Sequence, residues 1–285
     1  MNTVSVLLAG CGDIGTRVGE LLVESGKYNV LGARRTIVED SQFQLVVIDL
    51  LDPTTFSVLP KRIDYIVYTA TPSQRTEQAY QDIYLRGIQN LLAHFQSDDV
   101  KRVFYVSSTS VYPQQKAEWV DESSNAQPTA FSGRTLLEAE HWLGQQNMPS
   151  TVIRFAGIYG PGRNWLLRKV SNGCDAVYSP PKYTNRIHVE DCAGVLAFLI
   201  ERDVSGNALE ALYVGVDCEP VSEWGVLSWL AVEMNVERPQ KIESNGQQNK
   251  RCSNARLLEA GYRFIYPTYR EGYRMQIDSF LSESK

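Results

Sequence analysis

Close to its start the chain reads Leu7-Leu8-Ala9-Gly10-Cys11-Gly12-Asp13-Ile14-Gly15, and no other stretch limits the possible folds as much. The apolar run from Val4 to Ala9 has the length of a buried strand. After the glycine turn, Ile14, Val18, Leu21 and Leu22 fall at the spacing of one helix face, and Gly26 closes that helix. In a strand–turn–helix of this kind the first glycine permits the tight turn, the second lets a pyrophosphate approach the backbone, and the third lets helix and strand pack closely. Gly10, Gly12 and Gly15 occupy these places. Asp13 and Ile14 lie in the first helical turn, where unpaired N–H groups favour a phosphate. The plain alternative is a tight turn that binds nothing; a strand before it and a helix after it favour dinucleotide binding.

The rest of the chain alternates strand and helix, which predicts a parallel sheet covered on both faces. Strands are expected at Asn29–Ala33, Leu45–Ile48, Ile63–Thr69, Arg102–Val106 and Ser150–Phe155. Helices are expected over about Thr76–Phe95, after Pro128, over 190–202 and from Pro220 onward. The stripe Tyr80, Tyr84, Ile88, Leu91, Leu92 and Phe95 reads as core.

Ligands of such sheets sit beyond the carboxyl ends of the strands, which directs attention to Arg34-Arg35, Asp49-Leu50 and Ala70-Thr71. At the end of the second strand a carboxylate would accept a hydrogen bond from the ribose 2′-hydroxyl of NAD. Here two guanidinium groups stand instead and suit a 2′-phosphate, so NADP is expected ahead of NAD. The plain role for Arg34 and Arg35 is that of solvated loop charges. Asp49 has two readings: a bond to the adenine amine, or a turn shared with Asp52.

A net charge of −5 with no basic run argues against nucleic acid or a membrane surface as partner. No stretch approaches the roughly 18 apolar residues of a membrane span. Five scattered cysteines (Cys11, Cys174, Cys192, Cys218 and Cys252) show no CxxC spacing, so neither a disulfide framework nor a metal site is expected. A reducing cytoplasm, a small-molecule substrate and, as one option, a homodimer are the corresponding expectations.

Further along come Ser107-Ser108-Thr109-Ser110-Val111-Tyr112, then Arg154-Phe155-Ala156-Gly157-Ile158-Tyr159-Gly160-Pro161-Gly162-Arg163, then Ile187-His188-Val189-Glu190-Asp191. A tail with Asn254-Ala255-Arg256-Leu257-Leu258 and Gly261-Tyr262 follows. Taken in order with the glycine turn and Asp49-Leu50, these segments resemble the extended short-chain dehydrogenase/reductase family, the NAD-dependent epimerase/dehydratase group, over nearly the whole chain. The resemblance implies an α/β fold: a Rossmann-type doubly wound parallel sheet over 1–159 and 187–214, and a small C-terminal α/β substrate lobe over 160–186 and 215–285.

It also implies hydride transfer at a carbinol carbon. A Tyr moves the hydroxyl proton, a Lys four residues later on the same helix lowers the Tyr pKa, and a Ser or Thr orients the substrate oxygen. A phenol with a pKa near 10 needs such a cation to act as a base at neutral pH. Ser108 matches the Ser. Tyr159, Arg163, Asn185, Arg186 and His188 would line the substrate side, where cations suit a phosphate or carboxylate. Each has a plain counterpart: a strand-end hydroxyl for Ser108, surface ion pairs for the arginines, a hydrogen-bonded structural ring for His188.

The Tyr and Lys themselves are missing. Aligning on Pro128 and Glu140 puts Ser132 at the Tyr place and Leu136 at the Lys place; a shift by one gives Phe131 and Thr135. Two literal YxxxK matches, Tyr112 to Lys116 and Tyr178 to Lys182, contain prolines that exclude helix interior geometry. Tyr112 is left as the substitute acid/base candidate, with Arg134 as its cation. Two functions follow. One is an atypical NADP-using oxidoreductase or epimerase acting on a hydroxyl-bearing small metabolite, nucleotide sugars included. The alternative is a catalytically silent NADP-binding sensor or partner-binding protein.

Overall fold

The computed structural model describes residues 3–243 and 249–283. β1 (Val4–Ala9) runs into α1 (Asp13–Glu24), followed by β2 (Tyr28–Arg34), β3 (Gln44–Val47) and β4 (Tyr65–Tyr68). A long helix comes next in three parts: α2 (Glu77–Tyr80), a π-helical segment Gln81–Gly87, and α3 (Ile88–Ala93). Then come β5 (Arg102–Ser108), the short β6 (Glu118–Val120), α4 (Phe131–Gly144) and β7 (Ser150–Phe155). They are followed by β8 (Gly157–Tyr159), α5 (Trp165–Ser171), β9 (Asp175–Ser179), β10 (Tyr183–Thr184), β11 (Arg186–His188) and α6 (Val189–Val204). The remaining elements are β12 (Leu212–Gly215), β13 (Val221–Ser222), α7 (Glu223–Glu233), β14 (Gln240–Glu243), β15 (Lys250–Cys252), α8 (Ala255–Glu259) and α9 (Tyr269–Glu283).

Seven strands form the central sheet in the order β12-β7-β5-β4-β1-β2-β3. The chain steps outward from β1 to β3, returns to β4 on the other side of β1, and steps outward again. The order therefore reverses between β1 and β4, whose register pairs Leu7 with Ile66 and Ala9 with Tyr68 in parallel. That reversal is where such sheets open a crevice at their carboxyl ends. The inner strands are apolar on both faces: all four residues of β4 and Val6 to Ala9 of β1 are buried. Beneath the long helix, Ile66, Tyr68, Val103 and Tyr105 of the sheet join Ile88, Leu91, Leu92 and Phe95 in one core with Tyr84 packed against it, whereas Tyr80, the first residue of the expected stripe, lies outside it. No helix of the described residues is long and apolar enough to cross a membrane.

Several expected boundaries move for identifiable reasons. The helix expected over Thr76–Phe95 is interrupted by the π segment, where two strand tyrosines donate to the Ile83 and Tyr84 carbonyls. The helix expected from Pro220 begins at Glu223, since Ser222 is its cap: the Ser222 hydroxyl accepts the Gly225 N–H at 3.0 Å.

The chain divides into two compact units, Met1–Val111 with Ala126–Arg154 and Ala193–Tyr213, and Tyr112–Asn125 with Phe155–Cys192 and Val214–Lys285. This differs from the expected division. Residues 112–125, 155–159 and 187–192 belong with the second unit, because β6 pairs with β15 (Trp119 opposite Arg251) and β8 with β11 (Ile158 opposite Ile187). The second unit has its own core, in which Tyr159 packs with Leu167, Val226, Leu230, Tyr269, Tyr273 and Ile277.

Candidate functional site

The glycine turn is shaped by steric need. Gly10 has φ 82°, and a Cβ there would overlap the backbone of Ala70 on the neighbouring strand. The Gly10 and Cys11 N–H groups both donate to the Ala33 carbonyl, at 3.0 and 2.9 Å, which binds the turn to β2. At Gly15 a Cβ would lie 3.1 Å from Thr69 Oγ1, so the third glycine serves close packing of helix on strand. Gly12 is different: a Cβ there would meet only the Gly10 carbonyl oxygen, at 3.8 Å. Gly12 also stands at the N-cap of α1 with no side-chain cap, which leaves first-turn N–H groups available to an anion.

A groove of about 380 Å³ opens here, within the range of small-molecule sites. Gly10, Gly12, Arg34, Arg35, Asp49, Leu50, Ala70 and Thr71 all line it, so the expected residues converge. Asp13, Ile14 and Gly15 do not: Asp13 pairs with Arg17 at 2.9 Å, and Gly15 is buried behind the turn. The sequence reading missed Cys11, Thr36, Ser73, Gln74, Ala79, Asp82 and Ile83, which also line the groove. Cys11 was visible within the turn itself; Asp82 and Ile83 face the groove from the π segment, which no residue type announces. Of the two readings of Asp49, the turn is present: its Oδ1 accepts the Leu51 N–H at 2.9 Å and it bridges to Asp52. Burial pushes the Cys11 thiol up, so it stays protonated at neutral pH and is no nucleophile.

Beyond β5, the Ser108 hydroxyl accepts the Ser110 N–H at 3.1 Å, the local bond common at strand ends. On α4, Ser132, Leu136 and Glu140 fall four residues apart on the buried face. Glu140 fixes this register: it accepts the Ser107 hydroxyl at 2.5 Å and forms a buried pair with Arg154, Nη2 to Oε2 at 2.5 Å. Gly133 lets the first turn press down, since a Cβ there would lie 2.8 Å from the Ser110 carbonyl oxygen. The inward face of α4 thus carries a short hydroxyl at Ser132 and an isobutyl group at Leu136.

Tyr112 does not restore the phenol. It is fully buried in the second unit and its hydroxyl donates to the Asp121 carbonyl at 2.7 Å, so its proton is committed to holding a loop. Arg134 does not supply the cation either; it donates to the Thr129 carbonyl at 2.5 Å and pairs with Glu77 on an exposed face.

In the second unit Tyr159, His188 and Arg186 are brought together, all buried. Tyr159 stacks on Tyr273, centroids 4.4 Å apart, and meets the His188 ring edge-on at 5.1 Å. Burial pushes the Tyr159 phenol far above its ordinary pKa. His188 Nδ1 accepts the Glu190 N–H at 3.2 Å, which puts the proton of a neutral ring on Nε2. Arg186 is no surface ion pair: its Nη2 donates to Thr184 Oγ1 at 2.7 Å and its guanidinium lies 5.4 Å from the Tyr269 ring centre. Beside it, burial raises the Asp217 carboxyl to about 7, with Arg186 opposing the shift. Asn185 ties two strands of the second unit together: Nδ2 donates to the Lys250 carbonyl at 2.9 Å and Oδ1 accepts the Cys252 N–H at 2.7 Å. Arg163 is half-buried, and its own N–H turns back to the Gly160 carbonyl at 2.9 Å.

A doubly wound sheet with a glycine turn at its switch point defines a Rossmann-type protein. The comparisons narrow this: the model of the NAD-dependent epimerase/dehydratase family matches residues 6–215, and the chain belongs to that family. Protein YeeZ of Escherichia coli K12 is 30% identical over 215 residues, 72% of each chain. The structure described as that of a putative NAD-dependent epimerase/dehydratase from Methylobacillus flagellatus is 34% identical with TM-score 0.85, covering 98% of this chain and all of that one. UDP-glucuronic acid 4-epimerase from Bacillus cereus in complex with NAD shares the fold at 18% identity, TM-score 0.80, over 99% of this chain and 100% of its own.

Proposed function

We propose that the chain binds NADP in the groove of its first unit and uses it for oxidoreductase or epimerase chemistry on a hydroxyl-bearing small metabolite. The observation that carries the cofactor choice is the end of β2, where Arg34, Arg35 and Thr36 line the groove together with Gly10 and Gly12 and no carboxylate stands among those three. Two guanidinium groups favour a 2′-phosphate over a hydroxyl, because each can give paired N–H bonds to phosphate oxygens. The fit to the pyrophosphate rests on the open space at Gly12 and the uncapped start of α1. When bound, the nicotinamide ring would serve as acceptor of the carbinol hydride; the Ser108 hydroxyl would orient the substrate oxygen. Nucleotide sugars are the substrate class to examine first, since UDP-glucose 4-epimerase and UDP-glucuronic acid 4-epimerase share the fold.

Fluorescence titration with NADPH and NADH tests the cofactor choice. NADPH is expected to bind at least tenfold tighter, with the difference lost in Arg34→Ala combined with Arg35→Ala. Equal or tighter NADH binding contradicts it.

A second reading, a catalytically silent NADP-binding sensor, is favoured by Ser132 and Leu136 on the inward face of α4 and by the committed Tyr112 hydroxyl. Conversion of a panel of nucleotide sugars in the presence of NADP, read both as NADPH formation and as change of sugar epimer, separates the two. Hydride transfer that falls in Ser108→Ala supports the enzyme, and none at high protein concentration supports the sensor.

A further inference from the structure

The helix over 77–93 holds seven π-helical residues, Gln81–Gly87, between two α-helical stretches. A π insertion is uncommon and disturbs the ladder, so buried carbonyls near it need other donors. Two strand residues provide them from beneath. Tyr68 of β4 donates its hydroxyl proton to the Ile83 carbonyl, and Tyr105 of β5 donates to the Tyr84 carbonyl at 2.9 Å. Both phenols are fully buried and stacked, with ring centres 5.6 Å apart. Burial pushes both far above the ordinary tyrosine pKa, so both stay protonated and remain donors. Residue 87 must be small for this arrangement to exist, because a Cβ on Gly87 would stand 2.5 Å from Tyr68 Oη and 3.3 Å from Leu50 Cβ.

The same segment forms part of the groove wall through Asp82 and Ile83. One turn further on, Asn90 Nδ2 donates to the Leu50 carbonyl at 2.9 Å, and Leu50 also lines the groove. The π segment and the Leu50 loop are therefore tied to each other, and the two phenols fix the segment from the sheet side. We infer that Tyr68 and Tyr105 are positioning residues for the nucleotide: their hydroxyls hold the π turn that presents Asp82 and Ile83 to the groove. Without these donors the segment recovers ordinary helical bonding by turning those side chains off the wall. This rests on the dinucleotide reading of the groove; the hydroxyl latch itself does not.

The test compares Tyr68→Phe, Tyr105→Phe and their combination with Tyr65→Phe. Tyr65 is an equally buried residue of β4 whose hydroxyl meets Asp203 instead. Amide hydrogen exchange of the ligand-free protein and dissociation constants for NADPH are read together. For Tyr68→Phe and Tyr105→Phe, exchange over 82–88 is expected to rise about tenfold or more and NADPH to bind about tenfold more weakly. Tyr65→Phe is expected to leave both unchanged while lowering the unfolding temperature. Unchanged exchange in the combined variant overturns the latch. Raised exchange with unchanged NADPH affinity, or equal weakening by Tyr65→Phe, overturns the positioning role. If neither NADPH nor NADH binds the unsubstituted protein, the cofactor reading and the positioning role fall together, and exchange alone then decides the latch.

Discussion

At Asp217 burial works against charge. It is 1% exposed, its N–H donates to the Arg186 carbonyl at 2.7 Å, and its carboxyl is raised to about 7. A carboxyl whose folded pKa lies above its unfolded value is protonated in the native state and ionised in the unfolded chain between the two values. The unfolded state then binds fewer protons, so this group makes stability fall as pH rises from about 4 to about 7 and adds no further change above that. Urea unfolding at pH 5 and pH 7.5 should show a loss of about 2–3 kcal/mol attributable to this residue, removed in Asp217→Asn. A variant with the same slope as the parent would assign the loss elsewhere. At this scale the glycines were legible because each role is a backbone requirement, and Arg34 and Arg35 because strand ends can be counted from the glycine turn. Tyr112 and Asn185 were not. Their partners, Asp121 and Cys252, lie 9 and 67 residues away, and no local spacing records such bonds.

Among the elements, α4 is held in place by a buried charge and filled by small and apolar groups. Glu140 holds the helix to β5 and β7 through Ser107 and Arg154, while Ser132 and Leu136 fill the face between. Glu140→Gln should destabilise the fold by about 3–5 kcal/mol, because it strands the buried Arg154 charge. A denaturant midpoint unchanged within error would contradict that role. The long helix was legible as a stripe but not as a π insertion. Its apolar residues recur at 80, 84 and 88, a spacing that an α-helix also tolerates. The proposed latch rests on the pair of phenols on β4 and β5, two strands that sequence reasoning placed but whose side-chain hydroxyls it could not aim.

At the scale of the whole chain, the doubly wound sheet followed from alternation of strand and helix, a pattern that survives errors of two or three residues at each boundary. The division into units did not follow, since it depends on β6 meeting β15 and β8 meeting β11, pairings between distant segments. The central claim is that the first unit holds NADP with its 2′-phosphate on Arg34 and Arg35. A crystal structure of the protein with NADP tests it most directly. The account predicts the 2′-phosphate within hydrogen-bond distance of both guanidinium groups, the pyrophosphate over Gly12 and the adenine between Leu50 and Ile83. A dinucleotide bound elsewhere, or one whose 2′-phosphate points into solvent away from Arg34 and Arg35, would contradict it.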